Sequence, residues 1–136
     1  MRKAKFPAQF QYLDEMRNFV GEIAGRSGFD AKEIYSIQLA TDEAASNIIE
    51  HAYENTSKGF IEIACGMNGN SLLITLHDHG KSFDPSTVAP PNLKASLSER
   101  QIGGLGIYLM RKLMDEVHYE TKAGGGNLLT LVKRRG

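Results

Sequence analysis

The chain has 136 residues, a single cysteine, and 16 basic against 16 acidic side chains, for a formal net charge of zero. That length fits one compact domain, 1–136, with a continuous core, and charge balance supplies no global field to attract nucleic acid or an anionic membrane. One cysteine, Cys65, excludes an intramolecular disulfide and a cysteine metal cluster.

No stretch reaches the roughly 20 apolar residues of a membrane span, and the opening MRKAKFPAQF lacks the apolar core of a signal peptide. The expectation is a cytoplasmic protein with neither nucleic acid nor membrane as partner.

In chain order, Arg2 to Phe6 reads as a short edge strand that Pro7 ends. From about Ala8, Leu13, Met16, Val20 and Ile23 recur at helical spacing, and that helix stops near Gly25 and Gly28. Asp30 and Glu33 form a capping-box pattern for a second helix running to about Tyr53, after which the polar cluster Glu54 to Gly59 reads as a loop. Phe60 to Gly66 and Ser71 to Asp78 form a hairpin around Asn68-Gly69. Cys65 sits in its apolar run as a small core residue. His77 reads as a half-exposed strand residue, because no second metal-type residue is spaced to join it.

The strand then enters the turn Asp78-His79-Gly80-Lys81-Ser82-Phe83-Asp84-Pro85, followed by an aperiodic stretch from Ser86 to Gln101. A loop of that length is a functional cover or a disordered connection. Gly103-Gly104-Leu105-Gly106 opens a third helix with Ile107, Leu109, Met110, Leu113 and Met114 on its apolar face. Val117 to Lys122 and Asn127 to Lys133 close the chain as a second hairpin. The fold class expected from this order is a two-layer α/β sandwich, with a mixed, mostly antiparallel sheet and three helices on one face.

Three stretches carry candidate chemistry. On the second helix, Ile37, Ala40, Ala44, Ile48 and Ala52 share a core-facing stripe, while Glu43, Asn47 and Glu50 project from roughly the other side. A carboxylate beside an amide oxygen suits a hard cation such as Mg²⁺, or a base that orients a hydroxyl; the same spacing describes a solvated polar face. Asp78, an acceptor-only carboxylate at a strand end, suits an exocyclic amine such as adenine N6, with Gly80 letting a flat base approach; Asp and Gly are also ordinary turn chemistry. Gly103 to Gly106 leave helix N-terminal N–H groups open to phosphate, or simply permit a tight entry into the helix.

Together these stretches resemble a known family. Glu43-Ala44-Ala45-Ser46-Asn47-Ile48-Ile49-Glu50-His51-Ala52-Tyr53 is similar to the N box of the GHKL ATPases. Asp78 to Pro85 resembles their first glycine box, and Gly103 to Ile107 their second. The likeness is greatest to the bacterial anti-sigma-factor serine kinases. It extends through Phe6-Pro7-Ala8, Leu113-Met114-Asp115-Glu116-Val117 and Gly126-Asn127-Leu128-Leu129-Thr130-Leu131.

The resemblance implies the Bergerat ATP-binding fold, with ATP and Mg²⁺ as cofactors. It implies Glu43 as general base, Asn47 as Mg²⁺ ligand, Asp78 and Gly80 at adenine, Gly104 and Gly106 at phosphates, and Thr130 closing the adenine pocket. Residues 86–101 would be the ATP lid. Ser82 stands where the first glycine box has a second glycine, and Arg100 lies near the lid's end, either at the γ-phosphate or as an exposed loop arginine.

The implied activity is phosphorylation of a serine on a small anti-sigma-antagonist protein of the STAS type. The resemblance also implies a sigma factor as a further partner in the switch, and a homodimer. Histidine-kinase autophosphorylation is disfavoured, since the sequence shows no added dimerisation helix with a phospho-accepting histidine. The alternative is a non-catalytic module that uses ATP to gate protein binding.

Overall fold

The computed structural model describes residues 1–54, 58–83 and 102–136, the last stretch with side chains from Tyr108 onward. Five strands form one sheet: β1 (Arg2–Pro7), β2 (Phe60–Asn68), β3 (Ser71–Asp78), β4 (Glu116–Thr121) and β5 (Asn127–Arg134). Their spatial order is β1-β2-β3-β5-β4, and every described pair is antiparallel, so the expected mixed sheet is corrected to a purely antiparallel one among the described residues.

Three α-helices accompany it: α1 (Leu13–Arg26), α2 (Ala31–Asn47) and α3 (Ile102–Leu113). In α1, Met16, Val20, Ile23 and Ala24 are buried, the stripe its spacing predicts. The capping box at α2 forms in both directions, with Glu33 N–H donating to Asp30 Oδ1 at 2.7 Å and Asp30 N–H to Glu33 Oε1 at 3.0 Å. α2 lies between α1 and α3 and touches both.

The core lies between these helices and one sheet face. Ile61, Ile63 and Cys65 of β2, Leu72, Ile74 and Leu76 of β3, and Leu129 and Leu131 of β5 point into it at period two. Burial pushes the Cys65 thiol up to about 12, which leaves it inert as nucleophile and ligand. The opposite face, with Glu62, Thr75, His77 and Thr130 at the alternate positions, carries no helix among the described residues.

Candidate functional site

The second helix does not continue as α-helix to Tyr53. α2 ends at Asn47, and Ile48–Ala52 continue as a π-helical turn, a form that concentrates at functional sites. This wider turn ends at Ala52, whose carbonyl meets the turn that follows β3: Lys81 N–H donates to Ala52 O at 2.7 Å.

Asn47 is buried, at 3% exposure, so it does not belong to a solvated face. Its Nδ2 is buried with no hydrogen-bond partner among the described residues, which is a costly state for an amide. A half-turn of the terminal amide exchanges Nδ2 with Oδ1, so this orphaned position can present an oxygen to a cation. Glu43, one turn earlier, is half-buried. Burial, and then the neighbouring charges of Asp42 and Glu50, raise its carboxyl above the ordinary glutamate value. A half-buried carboxylate with a raised pKa and a buried amide on adjacent turns can accept a proton and hold a hard cation.

Asp78 ends β3 facing the core side and is fully buried. Its Oδ1 accepts from Gly80 N–H at 2.9 Å and from Asn127 Nδ2 at 3.1 Å, and Oδ2 lies 3.3 Å from the same Nδ2. Burial raises the Asp78 carboxyl above the ordinary aspartate value; the bonds from Gly80 and Asn127 and the nearby His77 and His79 pull the other way.

The turn itself is held at several points. His79 N–H donates to Tyr53 Oη at 2.9 Å, and Tyr53 Oη donates to Phe60 O at 2.8 Å. Asn127 Nδ2 also donates to Lys81 O at 3.0 Å, and Asn127 Oδ1 accepts from Phe83 N–H at 3.0 Å. The Ser82 hydroxyl bonds Gly126 O at 3.3 Å, which gives the departure from the glycine pattern a partner. Gly80 is required by close approach: a Cβ there would lie 2.5 Å from Ala52 O. Gly126, at φ +98°, is required by its left-handed backbone and by the Asp78 carbonyl against it.

Asn47, Phe83 and Asn127 line one crevice of about 10 Å³, room for at most one water. The Phe83 ring fills the adjoining space and lies 5.5 Å from the His51 ring. Asn47 and Asn127, the buried partner of Asp78, therefore border one crevice.

Other expected site residues fall differently. Thr130 is not brought to Asp78. It pairs with Thr75 on the helix-free face, and the residue across from Asp78 in the β3–β5 ladder is Asn127. Sequence reading missed Asn127, Tyr53 and Phe83; the inward alternation Asn127, Leu129, Leu131 was the available signal for the first. Gly104 and Gly106 lie inside α3, which begins at Ile102, rather than in a loop before it. First-turn N–H groups lack intrahelical acceptors, so the position of Gly104, though not the N–H of Gly106, still suits an anion. The expected lid over 86–101, with Arg100, lies outside the described residues.

The family model for the histidine kinase-like ATPase domain matches residues 6–133. The serine-protein kinase RsbW of Bacillus subtilis (strain 168) is 33% identical over 124 residues, which cover 88% of this chain and 78% of that protein. The serine-protein kinase RsbW of Bacillus cereus (strain AH820) is 34% identical over 130 residues, covering 93% and 81%. Among solved structures, the RsbU and RsbW domains of Rv1364c from Mycobacterium tuberculosis superpose with a TM-score of 0.65 at 20% identity, over 98% of this chain and 32% of that longer one. That likeness carries the fold.

Proposed function

The chain belongs to the histidine kinase-like ATPase domain family, among its protein-serine kinases, and on that premise we propose that it transfers the γ-phosphoryl group of ATP to a serine of a small anti-sigma-antagonist protein of the STAS type. The observation that carries the proposal is the buried Asn47 with one amide position unpartnered among the described residues, one turn after the half-buried Glu43.

The donor set fits both cofactors. Asn47, with its amide oxygen turned to the orphaned position, would hold Mg²⁺, which would neutralise phosphate charge. Asp78 would take a hydrogen bond from the exocyclic amine of adenine, and Gly80 would leave the backbone bare beside the ring. Gly104, in the first turn of α3, would leave its backbone N–H open to the phosphates, and Gly106 adds no side chain there. Glu43 accepts the proton of the partner's serine hydroxyl, a role its raised pKa favours. Asn127 takes the position beside Asp78 that the resemblance gives to Thr130.

Residues 1–136 act in this proposal as one ATP-binding unit with 86–101 as lid. A sigma factor as second partner, a homodimer and a cytoplasmic location rest on the family resemblance; among the described residues no helix is long and apolar enough to cross a membrane. The test is transfer of γ-labelled phosphate from ATP to a purified STAS-type antagonist. Serine phosphorylation lost in Glu43→Gln supports the reading. Nucleotide binding without transfer to any such protein would replace it with the ATP-gated binding module.

A further inference from the structure

The helix-free face of the sheet carries a group of side chains that the nucleotide site does not use. Glu62 on β2 stands directly across from His77 on β3. His79, two residues on, follows the strand's end, and its ring centroid lies 4.6 Å from that of His77. One ligand atom from each of Glu62, His77 and His79 lies within 4.8 Å of the other two. The expectation that nothing joins His77 is therefore corrected by cross-strand register and turn geometry.

We propose that Glu62, His77 and His79 form a binding site for a divalent borderline metal ion of the Zn²⁺ class. Two imidazoles and one carboxylate are a recurrent donor set for such ions, and the nitrogens select against Mg²⁺ and Ca²⁺. Ligands about 2.1 Å from a tetrahedral centre are about 3.4 Å apart, so closing the site takes a shift of about an ångström. Glu62 and His79 are exposed and free to make it, while half-buried His77 is fixed on its strand.

None of the three side chains is otherwise committed among the described residues. Glu62 is in no ion pair there, because its cross-strand neighbour Lys5 instead places Nζ over the Phe60 ring at 4.7 Å. Backbone bonding steadies the third ligand, since His79 N–H is held by Tyr53 Oη. A cleft of about 180 Å³ lined by Lys3, Glu62, Thr75 and His77 adjoins the group. A metal there would keep open positions for water or an anionic ligand, with Lys3 among the residues lining the cleft.

The site is separate from the proposed Mg²⁺ position, because Asn47 lies in the helix layer and these ligands lie on the far side of the sheet. The test is calorimetric titration of the full chain with zinc chloride, without nucleotide or Mg²⁺, and Co²⁺ absorption as a second readout. One equivalent per chain is expected, at least about tenfold weaker in His77→Ala, His79→Ala and Glu62→Gln, with the imidazole-ligated Co²⁺ bands lost alongside. His118→Ala, whose ring pairs with Glu116 at 2.8 Å on β4, should bind like the wild type. Glu62→Gln changes one exposed side chain and keeps the test valid if a histidine variant fails to fold. No zinc binding by the wild type, or binding undiminished in the Glu62 and histidine variants, would overturn the site.

Discussion

Asn127 Nδ2 lies 3.1 Å and 3.3 Å from the two carboxylate oxygens of Asp78, and both residues are buried. A carboxylate out of water needs such a partner, because desolvation otherwise drives it to take up a proton. The pair also fixes the turn, since the same Asn127 amide bonds Lys81 O and Phe83 N–H.

Asn127→Ala removes the side-chain donor and leaves the Gly80 N–H as the remaining partner of Asp78. The expected loss of stability is about 1–3 kcal/mol, the cost of an unsatisfied buried polar group. Urea denaturation with an unchanged slope measures it. An unaltered midpoint would mean that water or a shifted side chain satisfies Asp78.

Gly80→Ala places a methyl group against the Ala52 carbonyl. Either the turn after β3 or the π-helical turn has to move, at a cost of about 1–3 kcal/mol for overpacking. Because that movement displaces Asp78, ADP affinity is expected to fall at least about tenfold, measured by calorimetry on protein shown to be folded.

Glu43 carries a pH signature with a defined sign. Its folded-state pKa is raised, chiefly by burial and then by Asp42 and Glu50, so the ionised form is penalised in the folded protein. Its contribution to stability is fully present below the unfolded glutamate value of about 4.3 and is lost as pH rises through the higher folded value. Glu43→Gln should therefore remove that dependence and leave stability at neutral pH equal to or above the wild type. The acid limb of kcat/KM should lie above the ordinary glutamate range and the transfer rate should drop about 10²–10⁴-fold in the variant, with ADP binding retained. Transfer undiminished in Glu43→Gln would remove it as base.

Much of the fold was legible because it rests on local rules. The Asp30–Glu33 capping box, the α1 stripe and the two hairpins each follow from spacing and turn chemistry within a few residues. The β2–β3 turn is tighter than expected: β2 runs two residues past Gly66 to Asn68, and Gly69 at φ +62° opens a two-residue turn. The burial of Asn47 was not legible, since helical spacing puts it off the main stripe. α2 is the central helix, flanked by α1 and α3, so Thr41, Ala45, Asn47 and Ile49 are buried along with Ile37, Ala40 and Ala44. A single-stripe reading applies to a helix with one covered side. Thr130 could have been placed correctly, because period two separates it from Asn127, Leu129 and Leu131. The meeting of Glu62 with His77 depends on strand register, which spacing along one strand does not contain, whereas the nearness of His77 and His79 follows from their two-residue spacing.

The most direct measurement is calorimetric titration of ADP into the wild type, Asn47→Ala and Asp78→Asn, each with and without Mg²⁺. The account predicts wild-type binding strengthened by Mg²⁺, loss of the Mg²⁺ increment in Asn47→Ala, and weakened binding under both conditions in Asp78→Asn. Absence of nucleotide binding by the folded wild type, or an undiminished Mg²⁺ increment in Asn47→Ala, would contradict it.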